Sequence, residues 1–241
     1  MLTETETHLA YKIANAEIKM FPFPHIYLEN VFPSDFYKKL LDHLPRPDDM
    51  LPIASVRPVK GYKERFVLEL NDEHLKTLSD SKNTFWKKLK QMLVDDARFG
   101  NLVFSKFEPF INKRFGDKKN LKFFSESLLV EDTTNYALGP HTDSPRKVIT
   151  MLFYLPADTS QAHLGTSIYI PNDPEFKCEG GPHYGREGFT RVHTNPFLPN
   201  SLFAFVKSDK SFHGVERLLD PDSRRWLLLY DIYVQQEAPA A

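Results

Sequence analysis

His141-Thr142-Asp143 sets an imidazole and a carboxylate two residues apart. On an extended backbone both side chains leave the same face. Of the nine histidines, His141 is the only one with an acidic residue two positions on. His213 lies 72 residues later, in Phe212-His213-Gly214-Val215, after an apolar run. Two imidazoles and one carboxylate can bind one face of an octahedral metal and leave three positions open. A further 12 residues on, Arg225 opens a mostly apolar run, Trp226-Leu227-Leu228-Leu229. An arginine there offers a planar fork that can grip a carboxylate bidentately.

A single His-x-Asp is a weak signal, because a buried histidine more often just completes hydrogen bonds. The third metal ligand could be His163, His183, His193 or His213. His163 lies in a polar loop, Thr159-Ser160-Gln161-Ala162, and His183 and His193 lie in a Gly/Pro/Arg-rich segment. His213 alone follows a strand-like run, Leu202-Phe203-Ala204-Phe205-Val206, and precedes a glycine that lets backbones pack closely. His213 is therefore the expected third ligand.

Several pieces together resemble the 2-oxoglutarate/Fe(II)-dependent dioxygenases of the prolyl-4-hydroxylase-like group. They are His141-x-Asp143, Phe153-Tyr154-Leu155, Gly165-Thr166-Ser167-Ile168-Tyr169, Pro199-Asn200-Ser201, His213-Gly214-Val215 and Arg225. They cover residues 125–235 in the family's order. The resemblance implies Fe(II) held by His141, Asp143 and His213, 2-oxoglutarate and O2 as cosubstrates, and ascorbate as a candidate reductant. It also implies that Arg225 and Tyr154 hold the far carboxylate of 2-oxoglutarate. Arg224 and Arg225 point opposite ways on a strand, so only one can face inward. Leu227 departs from the family, which often carries a small residue there. The acidic ligand sets the chain apart from the halogenating branch, which lacks it. The implied reaction is hydroxylation of a small molecule, sugar, amino acid or peptidyl residue. The competing readings are a cupin-like metal- or sugar-binding module without oxygenase activity, and a metal-dependent hydrolase or isomerase.

The bulk properties are those of a globular chain of 241 residues, with 41% hydrophobic and 26% charged residues. A formal net charge of −1 argues against nucleic acid or anionic membrane as bulk-charge partners. The single Cys178 allows no internal disulfide and fits a reducing compartment. There is no apolar run of membrane-span length and no signal-peptide pattern at Met1-Leu2-Thr3-Glu4. A cytoplasmic protein is the expectation.

Residues 1–20 read as a poorly ordered start, and Phe21–Leu28 as extended, since two prolines exclude a helix interior. A helix begins near Pro33 with Ser34 as N-cap, its apolar face Phe36, Leu40, Leu41 and Leu44. Arg65–Leu70 reads as a strand. A helix is expected from about Asn83 to Ala97, with Gly100 stopping it or following its last turn. Phe104, Phe107, Phe110 and Ile111 form another helical stripe. Asn112–Asn120 is the most basic patch, read as a solvated turn. From residue 121 short strands follow: Phe123–Glu131, Val148–Leu155, Thr166–Ile170, Ser201–Val206 and Arg225–Val234. Residues 172–197 lack periodicity and read as a loop at the substrate entrance, where Arg186 and Arg191 could meet an anionic group. Ala238–Ala241 reads as a loose tail. The expected architecture is one α+β, mainly β domain over 1–241. Its double-stranded β-helix core (a jelly-roll, cupin-like barrel) at 121–236 is backed by a helical layer at 1–120 that includes some strands.

Overall fold

The computed structural model describes residues 3–57, 61–116 and 121–235. The end of the basic stretch, 117–120, and the tail at 238–241 lie outside the described residues. The chain start is more structured than its polar composition suggests. Helix α1 spans Glu4–Ala14, with Leu9 and Ile13 buried. Thr3 and Glu6 cap it reciprocally: the Glu6 N–H donates to Thr3 Oγ1 at 3.2 Å and the Thr3 N–H to Glu6 Oε2 at 2.6 Å. That capping box satisfies two of the helix's orphan donors and fixes its start.

Strand β1 (His25–Glu29) follows the prolines, and helix α2 spans Ser34–Asp42. Pro33, not Ser34, takes the cap position, and no side chain caps the helix. A short β2 (Leu51–Pro52), α3 (Ile53–Val56), β3 (Arg65–Glu69) and α4 (Asp72–Leu75) lead to α5 (Asp80–Lys90). Trp86 of α5 is fully buried, and its indole N–H donates to the His43 carbonyl at 2.7 Å. One π-helical turn, Gln91–Asp95, then ends at Asp96, whose carboxylate accepts from the Arg98 N–H and starts α6 (Ala97–Phe115). The break thus falls at Asp96, close to the expected helix end at Ala97, and Gly100 neither stops that helix nor follows its last turn. An aspartate in extended conformation is the stronger punctuation, and Gly100 lies inside the new helix. Phe107 and Ile111 of α6 are buried, and Phe104 and Phe110 pack on the same core.

Two antiparallel sheets follow. Strands β4 (Phe123–Thr133), β6 (Lys147–Tyr154), β9 (Ser201–Val206) and β11 (Arg224–Val234) form the centre of a seven-stranded sheet. Its order is β1-β9-β6-β11-β4-β3-β2, so the N-terminal half supplies three of its strands. The other sheet has four strands, ordered β5 (Leu138–His141), β10 (His213–Val215), β7 (Thr166–Pro171) and β8 (Phe189–Asn195). Strand β8 corrects the reading of 172–197 as a loop: its alternation is hidden because it is an edge strand, exposed along most of its length.

Side-chain alternation gives the large sheet two cores. Met151, Phe153, Leu202, Ala204, Leu228 and Tyr230 face the helices. Leu152, Tyr154, Phe203, Phe205 and Leu227 face the small sheet and meet Ile168 and Val215 there. Asn200 ties the N-terminal segment to this frame. Its amide accepts from the Phe32 N–H at 2.9 Å and donates to the Phe32 carbonyl at 2.8 Å. Its φ of 55° is one that asparagine tolerates better than most residues. Asn200→Ala strands two buried backbone groups and should cost about 2–4 kcal/mol in urea unfolding. A loss below about 0.5 kcal/mol would show that this link carries no stability.

Candidate functional site

The register of β10 against β5 sets His213 directly opposite His141. Their ring centroids are 4.3 Å apart. Gly214 permits this approach, since a Cβ there would sit 2.5 Å from the Leu138 carbonyl oxygen. Asp143 lies two residues past the end of β5. One ligand atom each from His141, Asp143 and His213 lies within 4.8 Å of the others, and all three residues are buried.

Hydrogen bonding fixes which ring nitrogen is free. His141 Nδ1 lies 3.1 Å from the Gly139 carbonyl and His213 Nδ1 lies 3.0 Å from the Ser211 carbonyl. A carbonyl only accepts, so each Nδ1 carries the proton and each Nε2 presents a lone pair. That is the tautomer a metal-ligating histidine takes, oriented by its backbone contact. Burial, reinforced by the neighbouring His213, pulls the His141 pKa down to about 3. Burial also lowers that of His213. Both rings are therefore neutral at neutral pH, ready to donate lone pairs. Burial alone would raise the pKa of Asp143, but Lys147, the two histidines and Thr150 hold it below the ordinary carboxylate range. Thr150 Oγ1 donates to Asp143 Oδ2 at 2.6 Å, and Lys147 Nζ lies 3.3 Å from Oδ1. Lys147 is shared with Asp231 at 3.0 Å. Two neutral imidazoles and a carboxylate suit a divalent iron with open positions.

A second polar group lies at the other end of β6. The Arg225 side chain is 1% exposed and that of Arg224 52%, so Arg225 is the inward arginine. Arg224 pairs with Glu131 at 2.7 Å. Arg225 stands opposite Asp132 of β4, and Asp132 stands opposite Arg65 of β3. The Asp132 carboxylate binds both: Arg65 Nε at 2.6 Å and Arg225 Nη1 at 2.8 Å. Two cations on one anion leave a net positive charge inside the fold. Arg225 has five N–H donors. Three reach the Leu164 carbonyl, Asp132 and Thr166 Oγ1. Two have no partner among the described residues.

Tyr154 adjoins this arginine, whose guanidinium carbon is 5.6 Å from the phenol ring centroid. Its hydroxyl accepts from the Thr166 N–H at 3.2 Å, so its own proton is available. Asn195 stands opposite Thr166 across β7 and β8, and directly opposed residues share a face. It is fully buried, yet neither end of its amide has a partner among the described residues. The Tyr136 hydroxyl is likewise buried and unpartnered. Orphaned buried polar groups cost about 1–3 kcal/mol each unless something completes them. A buried, net positive cluster with spare donors suits a carboxylate such as that of 2-oxoglutarate.

The remaining candidates fall elsewhere. His163 pairs with Asp220 at 2.8 Å, and His193 is exposed on β8. The His183 ring packs 4.5 Å from that of His141 and meets the Tyr62 hydroxyl. Arg186 and Arg191 both reach Glu216, at 3.0 and 3.6 Å, so neither is a free cation. Leu227 is buried between the sheets. Sequence reading missed Asp132, Thr166, Asn195 and Lys147. Asp132 alone left a trace, as a second charge beside Glu131 just past the expected strand.

No protein-family model and no curated protein sequence matches this chain. Solved structures do. A prolyl-4-hydroxylase from Pseudomonas putida matches with TM-score 0.51 and 14% identity, over 95% of this chain and 100% of that one. One from Phytophthora capsici gives 0.56 and 15%, over 97% and 67%. A Trichoplax adhaerens prolyl hydroxylase, in complex with a hypoxia inducible factor peptide fragment, gives 0.53 and 12%, over 95% and 88%.

The burial difference between the two arginines gives a direct test by urea unfolding. Arg225→Met breaks a buried pair and should cost about 3–5 kcal/mol, whereas Arg224→Met, at a half-exposed pair, should cost about 0–1 kcal/mol. Equal losses would contradict the assigned strand register. The chain has the fold of the prolyl 4-hydroxylases.

Proposed function

We propose that this chain is an Fe(II)- and 2-oxoglutarate-dependent dioxygenase, a hydroxylase, built on a double-stranded β-helix. His141, Asp143 and His213 would hold the iron. Arg225 and Tyr154, with Asn195, would hold the distal carboxylate of the cosubstrate. The observation that carries this reading is the pairing of two buried sites along one strand. At one, two Nε2 lone pairs and a carboxylate converge; at the other, a buried net positive cluster has donors to spare. A metal-binding module has no need of the second.

Bound iron would supply the redox chemistry that couples O2 to oxidative decarboxylation of 2-oxoglutarate. The balance is R–H, 2-oxoglutarate and O2 going to R–OH, succinate and CO2, with one oxygen atom in each organic product. The chain's own residues orient the parts. Thr150 and Lys147 fix the Asp143 carboxylate, and the Gly139 and Ser211 carbonyls fix the rings. The aromatic layer of Phe203, Phe205 and Tyr154 keeps water from the reacting centre. The substrate is a small molecule or a peptidyl residue, the peptide complex of the Trichoplax adhaerens neighbour supporting the latter.

Anaerobic calorimetry tests the reading. 2-Oxoglutarate should bind once Fe(II) is present, and Arg225→Met should weaken it about a hundredfold. Asn195→Leu should weaken it about tenfold, the loss of one strong hydrogen bond. His213→Ala should abolish oxygen-dependent succinate release. Metal binding without any recognition of 2-oxoglutarate would favour the cupin-like binding module instead.

A further inference from the structure

Lys147 Nζ stands between two carboxylates, 3.3 Å from Asp143 Oδ1 and 3.0 Å from Asp231 Oδ2. The three side chains are 12%, 10% and 1% exposed. Asp143 belongs to the candidate metal centre, and Asp231, on β11, does not. Neither carboxylate has another ion pair among the described residues. Lys207 and Arg114 act on Asp143 from longer range.

Two local features put the lysine there. A turn closes Asp143 onto Lys147, the Lys147 N–H donating to the Ser144 carbonyl at 3.0 Å. The register of β6 against β11 then shifts between Ile232 and Tyr233. Val148 and Ile149 both pack into the helix-side core, although neighbours on a regular strand face opposite ways. The irregularity turns Lys147 to the face of Thr150, which stands opposite Asp231. Bulges of this kind re-aim side chains beside active sites.

The two carboxylates are not bonded alike. Both oxygens of Asp143 are engaged, Oδ2 by Thr150 at 2.6 Å and Oδ1 by the lysine. Asp231 receives both of its donors, Lys147 and the Tyr233 hydroxyl at 3.3 Å, on Oδ2. Its Oδ1 is buried with no partner among the described residues. An ammonium carries three rotatable donors. Asp231 therefore has an unfilled acceptor for this lysine.

Without a metal ion, Asp143 needs the lysine, because a buried carboxylate left unpaired is costly. A divalent ion and an ammonium on one carboxylate repel each other, most strongly in a dry interior. We infer that Asp231 is a positioning residue of the metal centre, which takes over the Lys147 ammonium when a divalent ion claims Asp143. The inference rests on the reading of His141, Asp143 and His213 as metal ligands. It gives a task to a buried carboxylate that the coordination itself does not use.

The test titrates Co(II), without cosubstrate, by calorimetry into wild type, Asp231→Asn, Lys147→Met and the double variant. Asp231→Asn leaves the lysine no other anion, so Co(II) should bind about tenfold more weakly or worse. Lys147→Met removes the competing cation and should bind Co(II) at least as tightly as wild type. The double variant should return to within about threefold of Lys147→Met, because Asp231 acts only through the lysine. A merely structural Asp231 predicts instead a double variant as weak as Asp231→Asn. The inference is overturned by Asp231→Asn binding within about twofold of wild type, by Lys147→Met binding more weakly than wild type, or by no recovery in the double variant. His213→Ala, titrated alongside, should lose Co(II) binding. Wild-type affinity in that variant would remove the metal-site reading itself, and the inference with it.

Discussion

The pairing of β10 with β5 is the contact on which the candidate metal centre depends. It brings together two histidines 72 residues apart and fixes their rings before any ion arrives. Both Nδ1 protons go to carbonyls of nearby residues, so ring orientation is written into local backbone. Gly214 is the steric condition for that approach. The large sheet then supplies Thr150 from β6, which turns the Asp143 carboxylate toward the same point. Three ligands from three places converge because two sheets face each other across one apolar layer.

Buried charge is arranged at both ends of that layer. Toward the Tyr154 end, Arg65, Asp132 and Arg225 form a row across three strands. The row is stable because every charge has an opposite neighbour, and it still presents a net positive face. Toward the other end, Asp143 and Asp231 share Lys147. Burial pushes Asp231 up to about 6, with Lys147 only partly opposing it. Desolvation strengthens each of these interactions, so the same dry interior that costs stability gives the site its electrostatic definition.

How much of this could be read from the chain follows from the range of each interaction. His141, Asp143 and His213 stood out because their spacing and neighbours are local. The inward orientation of Arg225 could not be decided from alternation, since both faces of its strand are apolar. It is decided by Asp132, whose position depends on cross-strand register. Asn195 gave no signal, because its meaning lies in what fails to contact it. Five strands of the second half, β4, β6, β7, β9 and β11, were legible within two residues, whereas the short β5 and β10 were not expected. Nor were the α1 capping box and the exposed edge strand β8, since short polar contacts override the apolar pattern there.

The central claim is that one iron ion is held by His141, Asp143 and His213 through the two Nε2 atoms and one carboxylate oxygen. Crystals grown anaerobically with Fe(II), measured at the iron absorption edge, address it most directly. The account predicts a single anomalous peak about 2.0–2.2 Å from those three atoms. A peak elsewhere, or one coordinated by His183 in place of His213, would contradict it.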